Sequence, residues 1–349
     1  MHMADALISP TVGGTLWAVS ASVTGWCCKR IHTERSDFRT PLMGVMAAFT
    51  FAAQMINFSI PGTGSSGHLG GGVLLAAVLG PEAALLTMVS VLTVQAVFFA
   101  DGGLLALGCN IFNMGVIPCL IAYPLVFRKL VHSRLDRRRL AVASFAAAIL
   151  ALQLGAFSVV LQTVASGITE LPFAGFALLM QPIHLAVGMV EGAATFAVVA
   201  FLSKTRPELI QAVEGPSASG SVKYAAVGFG VLALIAGGIV SRFAAEDPDG
   251  LEWAVGHLVG AETPTRYADE PTHEFSASVQ SASALMPDYD FRQSPPAAQP
   301  IDLASTAGSP DASGTGTSAA GVAGGLIALL TAGLLAWILS RRKGLETRS

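Results

Sequence analysis

Charged residues are scarce in this sequence. Only 12% of its 349 residues are Asp, Glu, Lys or Arg, whereas 52% are hydrophobic and the mean hydropathy is +0.61. A typical soluble domain carries about twice that charged fraction. The composition therefore excludes an ordinary soluble protein and predicts a membrane protein.

Cysteines and common catalytic motifs are also rare. The cysteines fall in or near apolar segments and lack the spacing of a disulfide framework or a zinc site. There is no H-E-x-x-H, no G-x-S-x-G and no aspartate pair within an apolar segment, which disfavours an intramembrane enzyme. No internal repeat indicates a self-sufficient carrier or channel. Only Cys109 lies close enough to an outer turn to be considered as a soft metal ligand.

Apolar segments long enough to cross roughly 30 Å of hydrocarbon recur along the chain. They are 11–28, 42–60, 82–100, 111–127, 140–165, 178–203, 224–242 and 321–340, and a shorter segment at 69–80 is counted as the ninth. Lys and Arg cluster at 29–41, at 128–139 and at the C-terminus, and these clusters are expected to be cytoplasmic. The predicted fold is therefore all-α, a polytopic helical membrane protein of about nine spans with its N-terminus outside. The same placement of basic residues in short loops argues against nucleic-acid binding.

The stretch PGTGSSGHLGGG, residues 61–72, has the G-x-x-x-x-G spacing of a phosphate-binding loop but not its chemistry. His68 and Leu69 stand where such a loop needs Lys and then Ser or Thr. No other ATP-binding motif occurs, so an ATP-driven function would need partner subunits. The predicted topology puts His68 on the outer side, and Met1 on the same side.

The N-terminus, MHMADALISP, lacks the basic region and the uninterrupted apolar core of a cleaved signal peptide. His2 is not a small residue, so trimming by an aminopeptidase is not expected and Met1 is expected to be retained. The Met1 amine, the His2 amide and His2 Nδ1 can close a five-membered and a six-membered ring on one metal. An imidazole nitrogen of His68 would complete a planar set of four nitrogens, which suits Ni(II) or Cu(II) and can be accepted by Co(II). The alternative is that His68 is a solvated or packed loop residue.

Four blocks of the sequence, in order, resemble the CbiM/NikM family, the substrate-binding membrane components of cobalt and nickel energy-coupling-factor transporters. They are MHMADALISP, the glycine-rich His68 loop, FFADGGLLALGCNIFNMG at 98–115 and HLAVGMVEGAATFAVV at 184–199. The resemblance covers roughly residues 1–205 and implies that Met1, His2 and His68 hold the metal. The loop before His68 is plainer than in cobalt members of the family, which leaves the identity of the metal open.

The second half contains PDGLEW at 248–253, which resembles the PDGLE domain, the small NikN-like accessory component of these transporters. The predicted domains are a metal-binding membrane domain at 1–205, a cytoplasmic linker at 206–223 and a PDGLE domain with two spans at 224–349. MPDYDF at 286–291 resembles an aromatic turn before a span, and 294–320 is predicted to be a disordered spacer. The outer loop is acidic and is expected to be solvated, the alternative being that it concentrates cations. Its acidic residues are Glu246, Asp247, Asp249, Glu252, Glu262, Asp269, Glu270 and Glu274.

Several polar residues lie in or beside the spans. Asp101, Asn110 and Asn113 are close in depth to His68, where they could orient a metal-binding imidazole or cap and join helices. His184 and Glu191 are seven residues apart on one helix face and are expected to make structural polar contacts. Gln54, Asn57 and Gln95 receive the same interpretation.

The resemblance implies a transporter subunit rather than an enzyme. It would take up nickel, or cobalt, at the outer face of a prokaryotic cell membrane and release it to the cytoplasm. The implied partners are a transmembrane coupling protein and cytoplasmic ATPase subunits, within membrane lipid, and no cofactor is expected beyond the transported ion. The planar nitrogen set and the fused PDGLE half favour nickel. The alternative is cobalt uptake for cobalamin synthesis, and an intramembrane metal-dependent enzyme is less favoured.

Overall fold

The computed structural model describes residues 2–33, 39–131, 136–168, 170–210, 223–260, 270–291 and 315–341. This part of the chain is mostly helical, which confirms the predicted class. The helices are α1 (Pro10–Thr33), α2 (Arg39–Gln54), α3 (Gly72–Leu79), α4 (Pro81–Phe99), α5 (Leu107–Val131), α6 (Arg137–Ala165), α7 (Phe173–Thr205), α8 (Lys223–Gly238), α9 (Gly250–Val259), α10 (Pro271–Ser283) and α11 (Thr315–Arg341). Within α5, Phe112–Phe127 has π-helical hydrogen bonding, and it contains Pro118 and Pro124, which have no amide proton to donate.

Six helices in the described residues are long and apolar enough to cross a membrane. They are Pro81–Phe99, Leu107–Val131, Arg137–Ala165, Phe173–Thr205, Lys223–Phe243 and Thr315–Ser340. The predicted spans 11–28 and 42–60 correspond to α1 and α2, and the apolar part of α2, Pro41–Gln54, is shorter than these six. The predicted span 69–80 contains only α3, which has 8 residues and at 1.5 Å per residue is about 12 Å long. By itself, α3 is too short to cross the hydrocarbon.

An ion pair shows how α3 connects its neighbours. Arg30 Nε, near the end of α1, lies 2.9 Å from Glu82 Oε1 in the first turn of α4. At its other end α4 leads into Asp101, which contacts His2 just before α1. Helices α1 and α4 are therefore antiparallel, and α3 carries the chain from the His68 loop to the depth of Arg30.

A short hairpin departs from the all-α prediction. Strand β1 (Phe58–Ile60) pairs antiparallel with β2 (Ser65–Gly67), with Phe58 opposite Gly67 and Ile60 opposite Ser65. The turn between them uses Gly62 at φ 82° and Gly64 at φ 76°, a backbone region that favours glycine. The prediction of an all-α fold was wrong here because strands of three residues are too short to show a periodicity.

The hairpin is also where the two halves of the chain meet. The Ser66 amide donates to the Pro248 carbonyl at 2.8 Å, and Ser66 forms a parallel bridge with Asp249. The Ser66 hydroxyl donates to the carbonyl of Asp247 at 2.7 Å. The segment Asp247–Asp249 therefore lies along β2 as a third extended segment, beside the loop that carries His68.

The last helix begins inside the predicted spacer. Because α11 starts at Thr315, the prediction of disorder is wrong for residues 315–320, where small residues let a helix pack closely on its neighbours. The rest of that spacer lies outside the described residues. Of the predicted linker 206–223, the structure describes residues 206–210, with a single 3₁₀ turn at Pro207–Leu209, and Lys223, the first residue of α8.

Replacing Gly44 by Leu should loosen the contact between α2 and α11. A Cβ atom at Gly44 would lie 2.8 Å from the Leu329 carbonyl oxygen of α11, so the helices must separate, at a cost of about 1–3 kcal/mol. We expect a lower midpoint of thermal unfolding for the full chain in detergent. Gly25→Leu on α1 is the control, since a Cβ there meets nothing within 4 Å. Equal losses in the two variants would contradict close packing at Gly44.

Candidate metal centre

The backbone that follows His2 is held by α5. The Met3 amide donates to Asn110 Oδ1 at 2.8 Å, and Asn110 Nδ2 donates back to the Met3 carbonyl at 3.3 Å. The Gly103 amide donates to the same carbonyl at 2.9 Å. Met3 is fully buried. These contacts fix the course of the N-terminal segment and hence the position of His2.

The turn after α4 brings a carboxylate to His2. Ala100 at φ 57° and Gly102 at φ 80° reverse the chain on either side of Asp101. Asp101 Oδ1 lies 3.3 Å from His2 Nδ1, and Asp101 Oδ2 accepts a hydrogen bond from the Tyr289 hydroxyl. One carboxylate thus contacts the His2 imidazole and is itself held from the opposite side by an aromatic residue of the second half.

Two glutamines link His2 to the His68 loop. Gln54 Nε2 donates to the Gly70 carbonyl at 2.8 Å, so Gln54 Oε1 is turned to Gln95 Nε2 at 2.9 Å. Gln95 Oε1 in turn lies 3.2 Å from His2 Nε2. A carbonyl oxygen can only accept, which fixes both amide orientations, and a hydrogen bond at Nε2 needs the proton of the ring there. Nδ1 faces the Asp101 carboxylate, which also only accepts, so the two neighbours compete for the one proton of the neutral imidazole.

His68 is oriented by its own backbone. Its Nδ1 lies 3.1 Å from the Leu69 carbonyl, so Nδ1 donates and Nε2 keeps the lone pair. The rings of His2 and His68 are stacked, with centroids 5.2 Å apart and planes at 27°. Burial lowers the pKa of His68 to about 4 and also lowers the pKa of His2. Both imidazoles are therefore neutral at pH 7, the state in which they bind metal.

Glu191 anchors the His68 loop to α7. Its Oε2 accepts from the Gly70 amide at 2.7 Å and its Oε1 from the Gly71 amide at 3.2 Å. A Cβ at Gly70 would lie 3.0 Å from Glu191 Oε2, so the short contact needs glycine. His184, two turns away on the same helix, donates from Nδ1 to the Met180 carbonyl at 2.8 Å. Both residues make the polar contacts that the sequence predicts.

The three predicted supporting residues lie at different distances from the two histidines. Asp101 contacts His2 directly, whereas Asn110 acts through the backbone of Met3. Asn113 Nδ2 contacts Met3 Sδ at 3.7 Å, and its amide exchanges two hydrogen bonds with Gln162, at 3.0 and 2.9 Å.

The other two candidate ligands are the Met1 amine and the Cys109 thiol. Met1 lies outside the described residues, so the geometry of its amine stays a prediction. Cys109 is buried with a free thiol. In the described residues, no group of three His, Cys, Asp or Glu side chains is placed to hold a metal. The predicted set of four nitrogens does not need such a group of side chains, because two of the nitrogens, the Met1 amine and the His2 amide, are backbone groups.

Sequence reasoning missed the roles of Gln54 and Gln95. Both were interpreted only as structural polar residues, yet they connect His2 to the His68 loop. Position along the helices is the signal that could have found them. Gln54 is the last residue of α2, and Gln95 lies one turn before the end of α4, so both sit at the helix ends that lie beside the His68 loop.

The acidic outer loop of the second half packs on the N-terminal segment. His273 Nε2 lies 3.1 and 3.0 Å from the carbonyl oxygens of Asp5 and Ile8, and Gln280 donates to the Gly102 carbonyl at 2.7 Å. The Tyr289 ring stacks on Phe99 at 5.1 Å. The expectation of a solvated loop is therefore wrong for these parts, although Glu262 and Asp269 lie outside the described residues. Hydrogen-bonding side chains, rather than the loop's acidity, make these contacts.

Known proteins share both halves of this architecture. The family model CbiM, a cobalt uptake substrate-specific transmembrane region, matches residues 2–209, and the PDGLE domain model matches residues 223–341. A Haloquadratum walsbyi protein, provisionally named a metal transport protein, is 38% identical over 212 residues, which are 60% of this chain and 93% of its own length. An Archaeoglobus fulgidus protein, provisionally named fused nickel transport protein NikMN, is 33% identical over 219 residues, 62% of this chain and 70% of its own. A crystal structure of a transition metal transporter superposes with a TM-score of 0.52 at 27% identity, covering 59% of this chain and 93% of that one.

Gln95→Leu should weaken metal binding by about 10- to 100-fold, the usual effect of removing a group that orients a metal-binding imidazole. Without Gln95 Oε1, His2 can place its proton on Nδ1 instead, where it would block the lone pair. The measurement is the Ni(II) dissociation constant of the full chain in a metal buffer. Gln181→Leu is the control, because Gln181 pairs with Gln153 away from His2. Unchanged affinity in Gln95→Leu would show that the amide chain does not orient His2.

Proposed function

We propose that this chain, which belongs to the CbiM family and carries a C-terminal PDGLE domain, captures Ni(II) at the outer face of a prokaryotic cell membrane. The observation that carries the proposal is the stacking of the His2 and His68 rings, whose centroids are 5.2 Å apart. With the proton of His2 on Nε2, where Gln95 accepts it, the lone pair of Nδ1 is available to a metal. His68 Nδ1 contacts the Leu69 carbonyl, which leaves the lone pair of Nε2 available.

The ligand set follows from these two lone pairs. His2 Nδ1 closes a six-membered ring with the His2 amide nitrogen, and that amide closes a five-membered ring with the Met1 amine. His68 Nε2 supplies the fourth nitrogen. Such a planar set of four nitrogens suits Ni(II) better than it suits metals that prefer tetrahedral or octahedral sites.

Asp101 supports ion capture electrostatically. Its carboxylate lies 3.3 Å from His2 Nδ1, the nitrogen to which the metal would bind. A negative charge there attracts a cation as it approaches and also balances part of its charge once it is bound. Ion binding would rearrange this contact while Gln95 continues to hold the opposite nitrogen.

Co(II) is the alternative ion. The CbiM family description names cobalt, whereas the Archaeoglobus fulgidus relative has the provisional name of a fused nickel transport protein. Four nitrogen ligands also accept Co(II), so cobalt uptake for cobalamin synthesis uses the same residues.

The proposed topology has nine membrane crossings with the N-terminus outside. The Arg30–Glu82 pair supports counting α3 as the inner part of a crossing whose outer part is the His68 loop. That count puts His2, His68 and Asp101 on the outer side and the basic clusters inside.

Energy for release would come from partners. The sequence has no ATP-binding motif, and we propose a transmembrane coupling protein and cytoplasmic ATPase subunits within the same lipid bilayer. The chain itself would be a transport subunit and not an enzyme.

A free amine at Met1 should be essential for binding. We expect the full chain with a C-terminal tag to bind Ni(II) in equilibrium dialysis, and the same chain with a few residues added before Met1 not to bind. The extension turns the amine into an amide, which removes a ligand without touching the fold. Co(II) measured in parallel gives the preference between the two ions.

His68→Ala separates the loss of a ligand from unfolding. This variant should lose binding while its thermal unfolding stays close to that of the unaltered chain. His257→Ala should bind normally, since His257 is exposed and contacts the Trp253 carbonyl instead. Unchanged binding in the extended chain would remove Met1 from the site, and unchanged binding in His68→Ala would remove His68.

A further inference from the structure

Tyr289 is the residue through which the second domain reaches the surroundings of His2. Its hydroxyl donates to Asp101 Oδ2, and the other oxygen of that carboxylate, Oδ1, lies 3.3 Å from His2 Nδ1. The hydroxyl also has a hydrogen-bond contact with the Gln95 side chain, whose Oε1 lies 3.2 Å from His2 Nε2. Tyr289 therefore touches both Asp101 and Gln95, the side chains that contact the two nitrogens of the His2 ring.

The ring of Tyr289 is held by helices of the first domain. It stacks on Phe99, the last residue of α4, with centroids 5.1 Å apart, and packs edge-on against Phe51 of α2 at 6.1 Å. Shortly before it in the chain, two backbone amides donate to the Phe98 carbonyl at 2.8 and 3.2 Å. Packing against two helices therefore sets where the hydroxyl lies, so the hydrogen bond to Asp101 does not have to order a free side chain.

The backbone at Tyr289 is unusual. Asp288 and Tyr289 have φ of 51° and 62°, in the left-handed region that few residues other than glycine occupy and that is rarer still for bulky side chains. Backbone strain of this kind persists where surrounding contacts impose it, and it is concentrated at functional sites. Glycine would fit this turn without strain, so the reason for a tyrosine here lies in its side chain rather than in the turn.

The Asp101 carboxylate needs a partner to stay on His2. Its side chain is 23% exposed and lies on a turn, where a carboxylate without a partner can rotate toward water. The Tyr289 hydrogen bond holds Oδ2, and this leaves Oδ1 facing His2 Nδ1. The charge of Asp101 is therefore kept beside the nitrogen to which the metal would bind.

We propose that Tyr289 is a positioning residue for ion capture, which acts on His2 through the Asp101 carboxylate. The proposal rests on the proposed function and adds the part that the second domain plays in it. With Tyr289 in place, the negative charge of Asp101 is fixed where a divalent cation arrives, and it balances part of the charge of the bound ion. Without the hydroxyl, that charge is spread over several side-chain orientations, and the cation is held less tightly.

Tyr289→Phe separates the hydroxyl from the ring. This variant keeps the contacts with Phe99 and Phe51 and removes only the group that holds Asp101. We expect the Ni(II) affinity of the full chain to fall about 10-fold, the lower end of the usual effect of removing a group that supports a metal ligand. The midpoint of thermal unfolding should stay close to that of the unaltered chain, whereas Tyr289→Leu, which also removes the ring, should lower both quantities. Tyr224→Phe is the matched control, because Tyr224 is 78% exposed on α8.

A double-mutant cycle tests whether Tyr289 acts through Asp101. Asp101→Ala removes both carboxylate oxygens, so adding Tyr289→Phe should not lower the Ni(II) affinity further. The proposal is overturned if Tyr289→Phe alone leaves the affinity unchanged, or if its effect is undiminished in the Asp101→Ala background. It is also overturned if Tyr289→Phe lowers the midpoint of unfolding as much as Tyr289→Leu does, since the hydroxyl would then have a structural role.

A measurement without metal separates this role of Tyr289 from the proposed function. The nitrogen NMR signals of the His2 ring in the metal-free chain, identified by their absence from His2→Ala, should move in Tyr289→Phe and in Asp101→Ala but not in Tyr224→Phe. Unmoved signals in Tyr289→Phe would show that Tyr289 does not act on His2, even if Ni(II) binds as proposed. Conversely, a chain that binds neither Ni(II) nor Co(II) would overturn the proposed function, whereas signals that move would still show that Tyr289 positions His2.

Discussion

The peptide unit of Gly70 links the parts of the candidate centre. Its N–H is held by Glu191 at 2.7 Å, and its carbonyl receives the Gln54 amide at 2.8 Å. The first contact anchors the His68 loop to α7, and the second begins the chain of amides that ends at His2. Because each of these groups is buried, leaving any of them unpaired would cost about 1–3 kcal/mol. The orientation of the Gln95 amide that contacts His2 is therefore set by a glycine more than sixty residues away from His2 in sequence.

That His2 and His68 lie together was easier to predict than the contacts that position them. Both residues follow from which atoms can chelate a metal, and the apolar helices follow from hydropathy. The hairpin, the glutamine chain and the position of Asp249 depend on pairings between distant segments. Ser66 and Pro248 meet only because two halves of the chain fold against each other, and no local pattern in either segment encodes that meeting. The predicted span 69–80 is a similar case. Helix α3 is short, and its position along α1 is set by the ion pair of Arg30 with Glu82, two residues that are distant in sequence.

The second domain contacts the centre on two sides. Asp249 approaches from the hairpin, whereas Tyr289 supports Asp101 beside His2 and Gln280 holds the turn that carries Asp101. The N-terminal segment lies between these contacts and α5. A mostly helical domain thus has its N-terminal segment, which carries the predicted ligand His2, covered by a second structural unit, and this limits how far that segment can move.

Because the two halves belong to one chain, the contacts of the second domain with the hairpin and the N-terminal segment are intramolecular. If the second domain were a separate subunit, the fraction of molecules with the domain docked would depend on its concentration in the bilayer. In one chain the contact is intramolecular, with an effective concentration set by the linking segments. The hydrogen bonds of Ser66, Gln280 and Tyr289 need then supply only enough free energy to favour the closed arrangement over an open one. Weak contacts are sufficient for that purpose, and weak contacts can open quickly.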